Sequence, residues 1–249
     1  MIAIICLFFH ESHACAEEDL SVGFDPWPPF AMVKDGQYRG IAVDIIRELA
    51  ARNGYRLKMR HFPVKRLIAM FEHGDIDVIP LDSPLWNDEN NQAVSVFSNS
   101  LFDLREFVYL RAGIREGAMQ VAEMQGLKLA HVNGYAYPAL ASAFQRGDLF
   151  RARVSQPLQL FKMARLGRVD GLLLDEFLFS HFVKEEGVVR EDFQRGMQLS
   201  KAPMAVKLHK SKARLLADIN RTLMEMKAEG RIDAIFGRYA DGGRIALLR

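Results

Sequence analysis

Cysteine is close to absent from this chain. The only two, Cys6 and Cys15, stand within the first fifteen residues. If that segment is removed, the remaining chain can build no disulfide, thiolate metal site or cysteine nucleophile. Long hydrophobic runs are missing too. Ile2 to Phe9 is apolar but too short to span a bilayer, and no other stretch is long enough. Charge of either sign is not in excess: a formal net charge of +2 gives no electrostatic footprint for nucleic acid. Zinc spacings, a P-loop, a nucleophile elbow and a glycine-rich dinucleotide fingerprint are all absent. The seven histidines and Glu89 show no metal-ligand spacing. No cofactor and no metal is therefore expected. There is no low-complexity tract.

What remains is ordinary globular material. A length of 249 residues, 49% of them hydrophobic, suffices for one large or two modest domains. Residues 1–16 read as a secretory signal: the apolar run is followed by Ala14-Cys15-Ala16, an A-x-A-like cleavage site. Its positively charged n-region is missing, so the start codon is placed upstream; the alternative is a buried N-terminal strand. Cys15 lacks the apolar residue three positions earlier that a lipoprotein signal shows. The expectation is a soluble, exported protein located in the periplasm, without a lipid anchor.

The chain is organised around a unit that occurs twice. In Ser155 to Phe177, Ser155 or Gln156 can cap a helix and Pro157 suits its first turn. Leu160, Phe161 and Ala164 make an apolar stripe, and Gly167 fits a left-handed C-terminal position. Val169 to Leu174 then reads as a strand covered on both faces, ending in Asp175 and Glu176. Open α/β sheets bind ligands at that carboxyl edge. Arg66 to Asp82 repeats the plan: a stripe of Leu67, Ile68 and Phe71, then Gly74-Asp75-Ile76-Asp77, then a strand ending in Asp82. A third echo, Gly230-Arg231-Ile232-Asp233, follows the long C-terminal helix. Two similar α/β lobes are implied.

Other elements fall between these units. Leu20 to Phe24 reads as the first strand, leading into Asp25-Pro26-Trp27-Pro28-Pro29-Phe30. Three prolines reduce the entropy lost on ordering that loop, so two exposed aromatics on it make a ligand platform; a proline-packed hydrophobic turn is the alternative. Ile41 to Arg52 is expected to be a helix closed by Asn53-Gly54, and Tyr55 to Arg60 a half-exposed strand. Ser83 to Gln92 is polar and turn-rich. Strands are expected at Phe102 to Leu110, Lys128 to Val132 and Ala202 to Leu208. Helices are expected at Pro138 to Gln145 and Ala213 to Glu229, and a polar surface stretch runs to about Gly196.

These landmarks resemble the bacterial family 3 extracytoplasmic solute-binding proteins. The matching pieces are Trp27-Pro28-Pro29-Phe30, Gly40-Ile41-Ala42-Val43-Asp44-Ile45, Phe71-Glu72-His73-Gly74-Asp75-Ile76-Asp77, Phe97-Ser98, Gly167-Arg168-Val169-Asp170 through Asp175, and Ile219-Asn220. Their order and spacing, over about residues 19–240, carry the resemblance. It implies a periplasmic binding fold of type II: two α/β lobes joined by two crossover strands, closing by hinge motion on a ligand in the cleft. Lobe 1 would take residues 17–108 plus 200–249, and lobe 2 residues 109–199. The C-terminal helix would then pack on lobe 1.

Two departures from the family pattern bear on the ligand. The arginine that usually grips an amino-acid carboxylate is replaced by Trp86-Asn87-Asp88-Glu89-Asn90, and the usual Gly-Thr by Asn133-Gly134-Tyr135-Ala136-Tyr137. The acidic residue that takes the ligand ammonium has a match in Asp175, although Asp175 can also simply cap the next helix. Arg66 follows a Pro-x-x-Arg pattern found in a divergent branch of the family, and is the expected substitute anion clamp. The expected ligand-binding set is Trp27, Phe30, Arg66, Asp82, Trp86, Tyr135, Tyr137 and Asp175. The function implied is a receptor that closes on a small polar solute, amino-acid-like or another small charged organic molecule, for an inner-membrane ABC permease. A dehydratase-like enzyme on the same fold, with Asp175 and Glu176 as acid and base, and a ligand-sensing module acting on a membrane sensor stay open as alternatives. A monomer is expected, with a small-molecule ligand and no nucleic-acid partner.

Overall fold

A computed structural model describes residues 18–115 and 117–239. The expected signal segment and the last ten residues assigned to lobe 1 lie outside the described residues. In chain order the strands and helices are β1 (Glu18–Phe24), β2 (Met32–Lys34), β3 (Gln37–Arg39), α1 (Ile41–Asn53), β4 (Tyr55–His61), α2 (Val64–His73), β5 (Val78–Asp82), α3 (Glu89–Ala93), β6 (Ser95–Phe97) and β7 (Phe102–Arg111). There follow β8 (Lys128–Val132), α4 (Pro138–Arg146), β9 (Phe150–Val154), α5 (Pro157–Arg165), β10 (Gly171–Asp175), α6 (Glu176–Glu185), β11 (Phe193–His209), α7 (Leu216–Ala228) and α8 (Arg231–Tyr239).

The strands fall into two parallel groups. One has the order β4-β1-β5, the other β10-β8-β9. Between them run β7 and β11, antiparallel to each other and to their neighbours β10 and β5. These two are the crossover strands, and each touches both halves of the molecule. β11 is interrupted by register shifts at Arg195/Gln198, Gln198/Ser200 and Ala205/Lys207. The last of these has a chemical origin: β5 carries Pro80, which has no N–H to donate to the ladder. Such irregularities bend a strand, which lets one chain serve two lobes. Helices α7 and α8 pack on α1, joined to it by Arg52–Glu229 at 2.6 Å and Arg231–Glu48 at 3.0 Å.

Local chemistry explains α1 and the loop before it. Ile41, Ile45 and Leu49 are fully buried, and Gly54 ends the helix in a left-handed conformation with φ 70°. Gly40 at its start has φ 130°, and a Cβ there would lie 2.3 Å from the Phe30 carbonyl oxygen. That close approach allows the first amides of α1, Ile41 N–H and Ala42 N–H, to donate to the Pro29 and Phe30 carbonyls at 3.1 and 3.0 Å. The Trp27 loop is thereby bolted to the helix N-terminus.

Several boundaries differ from the sequence expectation. The final strand begins at Phe193, nine residues before Ala202, because the polar stretch pairs with β7 from Phe193↔Arg111 onward; hydrogen bonding, which leaves no hydropathy signal, decides it. The expected helix at Ala213 opens as a 3₁₀ turn, Lys210–Leu215, before α7. The polar segment after Asp82 forms a 3₁₀ turn, Pro84–Trp86, and the short α3. The aromatics of the proline loop are not exposed: Trp27 is 7% exposed and Phe30 is fully buried. Phe30 stacks on Phe102 at 5.7 Å and meets Phe177 at 5.2 Å, so burying its ring outweighs any surface role.

Gly40 should tolerate substitution far less than Gly36, whose φ is 72° but which has nothing within 4 Å. We expect Gly36→Ala to cost about 1–2 kcal/mol of backbone strain and Gly40→Ala about 3 kcal/mol or more, strain and collision together. Denaturant unfolding of the two variants checks the ordering.

Candidate functional site

A cavity of about 90 Å³ lies where the two strand groups meet. The β4-β1-β5 side contributes Asp25 and Trp27 after β1, Val64, Leu67 and Ile68 of α2, and Asp82, Trp86 and Asn87 at and beyond the end of β5. The other side contributes Gly134, Tyr135, Ala136 and Tyr137 after β8, and Asp175 at the end of β10. Glu106 enters from the crossover strand β7. The floor is thus built from strand ends and the loops that follow them, as the carboxyl-edge rule requires.

Each side chain is held by its own element. Asp175 is the N-cap of α6: its Oδ1 accepts from Phe177 N–H at 2.9 Å and Leu178 N–H at 2.8 Å. Its Oδ2 accepts from Trp27 Nε1–H at 2.8 Å, across the cleft. A second bridge runs the other way, Tyr135 O–H donating to Asp25 Oδ2 at 2.8 Å. Tyr137 O–H is spent on the Leu173 carbonyl at 2.9 Å. Glu106 Oε2 accepts from Ser200 Oγ–H at 2.5 Å, which ties the two crossover strands together at the cavity.

The carboxylates are in two electrostatic situations. Asp82 is neutralised from behind by Lys207 of β11, with Nζ at 2.9 Å and a side chain only 1% exposed. Lys207 also donates to the side-chain oxygens of Asn87 and Asn91 and sits 4.5 Å from the centre of the Phe71 ring. Asp25, Glu106 and Asp175 have no cationic partner among the described residues. Burial pushes Asp175 up to about 6, against the pull of Leu178 N–H and Trp27. Burial likewise raises Asp25 to about 6, opposed by Tyr135 and reinforced by Asp82. Glu106 reaches about 7, raised by burial and then by the Asp175 charge, and held back by Ser200 and Trp86. Trp86 Nε1–H is itself buried with no hydrogen-bond partner; it acts on Glu106 from outside hydrogen-bonding geometry.

Six of the residues expected from the sequence line this cavity: Trp27, Asp82, Trp86, Tyr135, Tyr137 and Asp175. Phe30 lies beneath it, 4.5 Å from Trp27 between ring centres. Arg66 is exposed, with its guanidinium 5.4 Å over the Phe62 ring, and is not in the cavity wall. The reason is helical phase. Val64, Leu67 and Ile68 share the face of α2 that meets the cavity, and at 100° per residue position 66 falls off that face. Asp25 and Glu106 are further wall residues that the sequence reading did not single out. Nothing in the pattern of Phe102 to Leu110 singles out Glu106, since the same strand carries Asp103 and Arg105.

This geometry can be set beside known proteins. The sequence profile of the bacterial extracellular solute-binding proteins, family 3, matches residues 20–242. The chain belongs to that family. A probable histidine-binding protein of Neisseria gonorrhoeae is 20% identical over 214 residues, 85% of this chain and 79% of that one. The putative amino-acid ABC transporter-binding protein PatH of Vibrio harveyi is 20% identical over 235 residues, covering 94% and 93%. In fold, the chain resembles an ancestral arginine-binding protein bound to arginine, with TM-score 0.77, 20% identity and coverage of 90% and 98%. Holo ArgBP from T. maritima gives 0.71 at 25% identity, covering 89% and 96%. These relatives are binding proteins of the type II periplasmic fold. Among the described residues no helix is long and apolar enough to cross a membrane.

The unpaired acids make ligand-free stability depend on pH in a defined direction. Glu106 has a folded pKa of about 7 against an ordinary 4.5, so between those values the folded state holds more proton than the unfolded. Its contribution to stability is full below about 4.5 and is lost as pH rises toward 7. Glu106→Gln should therefore raise ligand-free stability at pH 8 by on the order of 1–3 kcal/mol, with little change near pH 4. Thermal melts of both proteins across that range check the sign.

Proposed function

We propose that this family 3 member is a periplasmic receptor that closes on a small polar solute and delivers it to an inner-membrane ABC permease. The observation that carries the reading is the cavity whose wall is shared by both lobes and bridged by Trp27–Asp175 and Tyr135–Asp25. A ligand that replaces those bridges with its own contacts favours the closed arrangement by its differential affinity for it. Residues 17–108 plus 200–249 act as one lobe and 109–199 as the other, with β7 and β11 as the hinge. The ligand contacts are Trp27, Asp82, Trp86, Tyr135, Tyr137 and Asp175, joined by Asp25 and Glu106. Binding, not catalysis, is the activity: the relatives carry names of binding proteins. The protein works as a monomer.

The test uses the chain's own fluorophores. Its two tryptophans, Trp27 and Trp86, both line the cavity. Amino acids, amines, organic acids and sugars should be screened by thermal shift, since a ligand that binds only the folded state raises apparent stability. At 100 times its Kd a true ligand adds about 2.7 kcal/mol, and it should also change tryptophan emission saturably. A screen in which no compound moves either signal overturns the receptor reading.

A further inference from the structure

We propose that the solute is a compact organic dication without a carboxylate, of the short α,ω-diamine or aminoalkyl-guanidine class. This rests on the receptor reading above and narrows it to a ligand chemistry. The acids of the cavity form two poles: Asp25 and Asp82 on the β4-β1-β5 side, and Glu106 with Asp175, which are register partners on β7 and β10. Asp25 feels the charge of Asp82, and Glu106 that of Asp175. Among the described residues no arginine or lysine lines the wall, and the buried Lys207 near it is committed to Asp82, Asn87 and Asn91. These acids are not a surface cluster: Glu106 and Asp175 are buried and Asp25 is half-buried in the cleft wall, where an ionised group without a counter-charge is disfavoured.

An anionic group on the ligand would find few free side-chain donors to receive it. Of the wall side chains with N–H or O–H groups, Trp27, Tyr135 and Tyr137 already donate to Asp175, Asp25 and Leu173. Asn87 donates to Asp82 Oδ2 at 3.2 Å and to the Ser83 carbonyl at 2.7 Å. Trp86 Nε1–H alone is unpartnered, and the carboxylate it acts on is Glu106. An amino-acid carboxylate would thus be placed among like charges with a single free side-chain donor to offset them. Cationic ends fit on both counts. They supply the missing counter-charge at each pole, and Trp27 and Trp86, 5.9 Å apart between ring centres, offer π faces to the chain between them or to its charged ends. A cavity of about 90 Å³ keeps the ligand compact.

The test compares matched pairs that differ only by one carboxylate: 1,5-diaminopentane against lysine, 1,4-diaminobutane against ornithine, and agmatine against arginine. Calorimetry at pH 8 keeps the amines protonated and the wall acids ionised. We expect at least one amine to bind tenfold or more tighter than its amino acid, and Glu106→Gln to weaken that amine tenfold or more. An amino acid that binds as tightly as its amine, or tighter, overturns the inference and leaves the receptor reading standing. Absence of binding by all three amines at millimolar concentration also overturns it, and the receptor reading is then decided by the wider screen alone. An amine preference that survives Glu106→Gln undiminished removes the second pole and with it the dication. The wild-type comparison needs no variant, so a poorly folding Glu106→Gln leaves the inference open to refutation.

Discussion

Three carboxylates gathered in one cleft, with no cationic partner among the described residues, are the constraint around which this molecule is arranged. Asp25, Glu106 and Asp175 are each stabilised by neutral donors, a tyrosine hydroxyl, a serine hydroxyl, an indole and two backbone amides. Neutral donors soften the loss of water but do not cancel charge. The ligand-free protein therefore carries an electrostatic strain that its own sequence does not relieve. Asp82 shows the contrast. It is paired with the buried Lys207, which also donates to Asn87 and Asn91. The same fold that buries a lysine beside Asp82 leaves the other three acids without a cation among the described residues.

The scaffold that bears this strain is rigid where it must be. The Trp27 loop is fastened to α1 through Gly40, and its underside rests on Phe30, Phe102 and Phe177. Phe177 belongs to the helix that Asp175 begins. The same aromatic cluster thus supports both partners of the Trp27–Asp175 bridge, one from each lobe. The crossover strands add the Ser200–Glu106 link, so opening of the cleft and the environment of Glu106 are mechanically coupled. β7 and the bulged β11 are the strands that connect the two halves, and their hydrogen-bond ladder contains irregularities.

Much of this was legible in the sequence, and the failures have physical causes. The repeated helix, Gly-x-[Ile/Val]-Asp and strand placed Asp82 and Asp175 at strand ends, because period and length specify such units locally. The order of short motifs pointed to the family and to the aromatics of the cavity. Arg66 was expected in the site and is exposed, although the stripe Leu67, Ile68 and Phe71 already fixed the inward face of its helix. Phe30 was expected at the ligand and is core, since a proline loop gives no sign of which side it packs against. Glu106 went unnoticed because it sits in a strand whose neighbours, not whose pattern, turn its side chain into the cleft. The start of β11 was hidden for the same reason: a polar segment becomes a strand only when a partner supplies the hydrogen bonds.

Asp175 divides its two oxygens between separate duties, Oδ1 to the first amides of α6 and Oδ2 to the cleft. A helix cap replaced by an apolar residue costs about 1 kcal/mol, whatever the cleft contains. An acid or amide at this position is therefore retained by selection for folding, independently of what is carried. A lineage could exchange one cargo for another while this residue stayed fixed. Specificity is then better sought in wall residues that cap no helix, such as Glu106 and Trp86, than in Asp175.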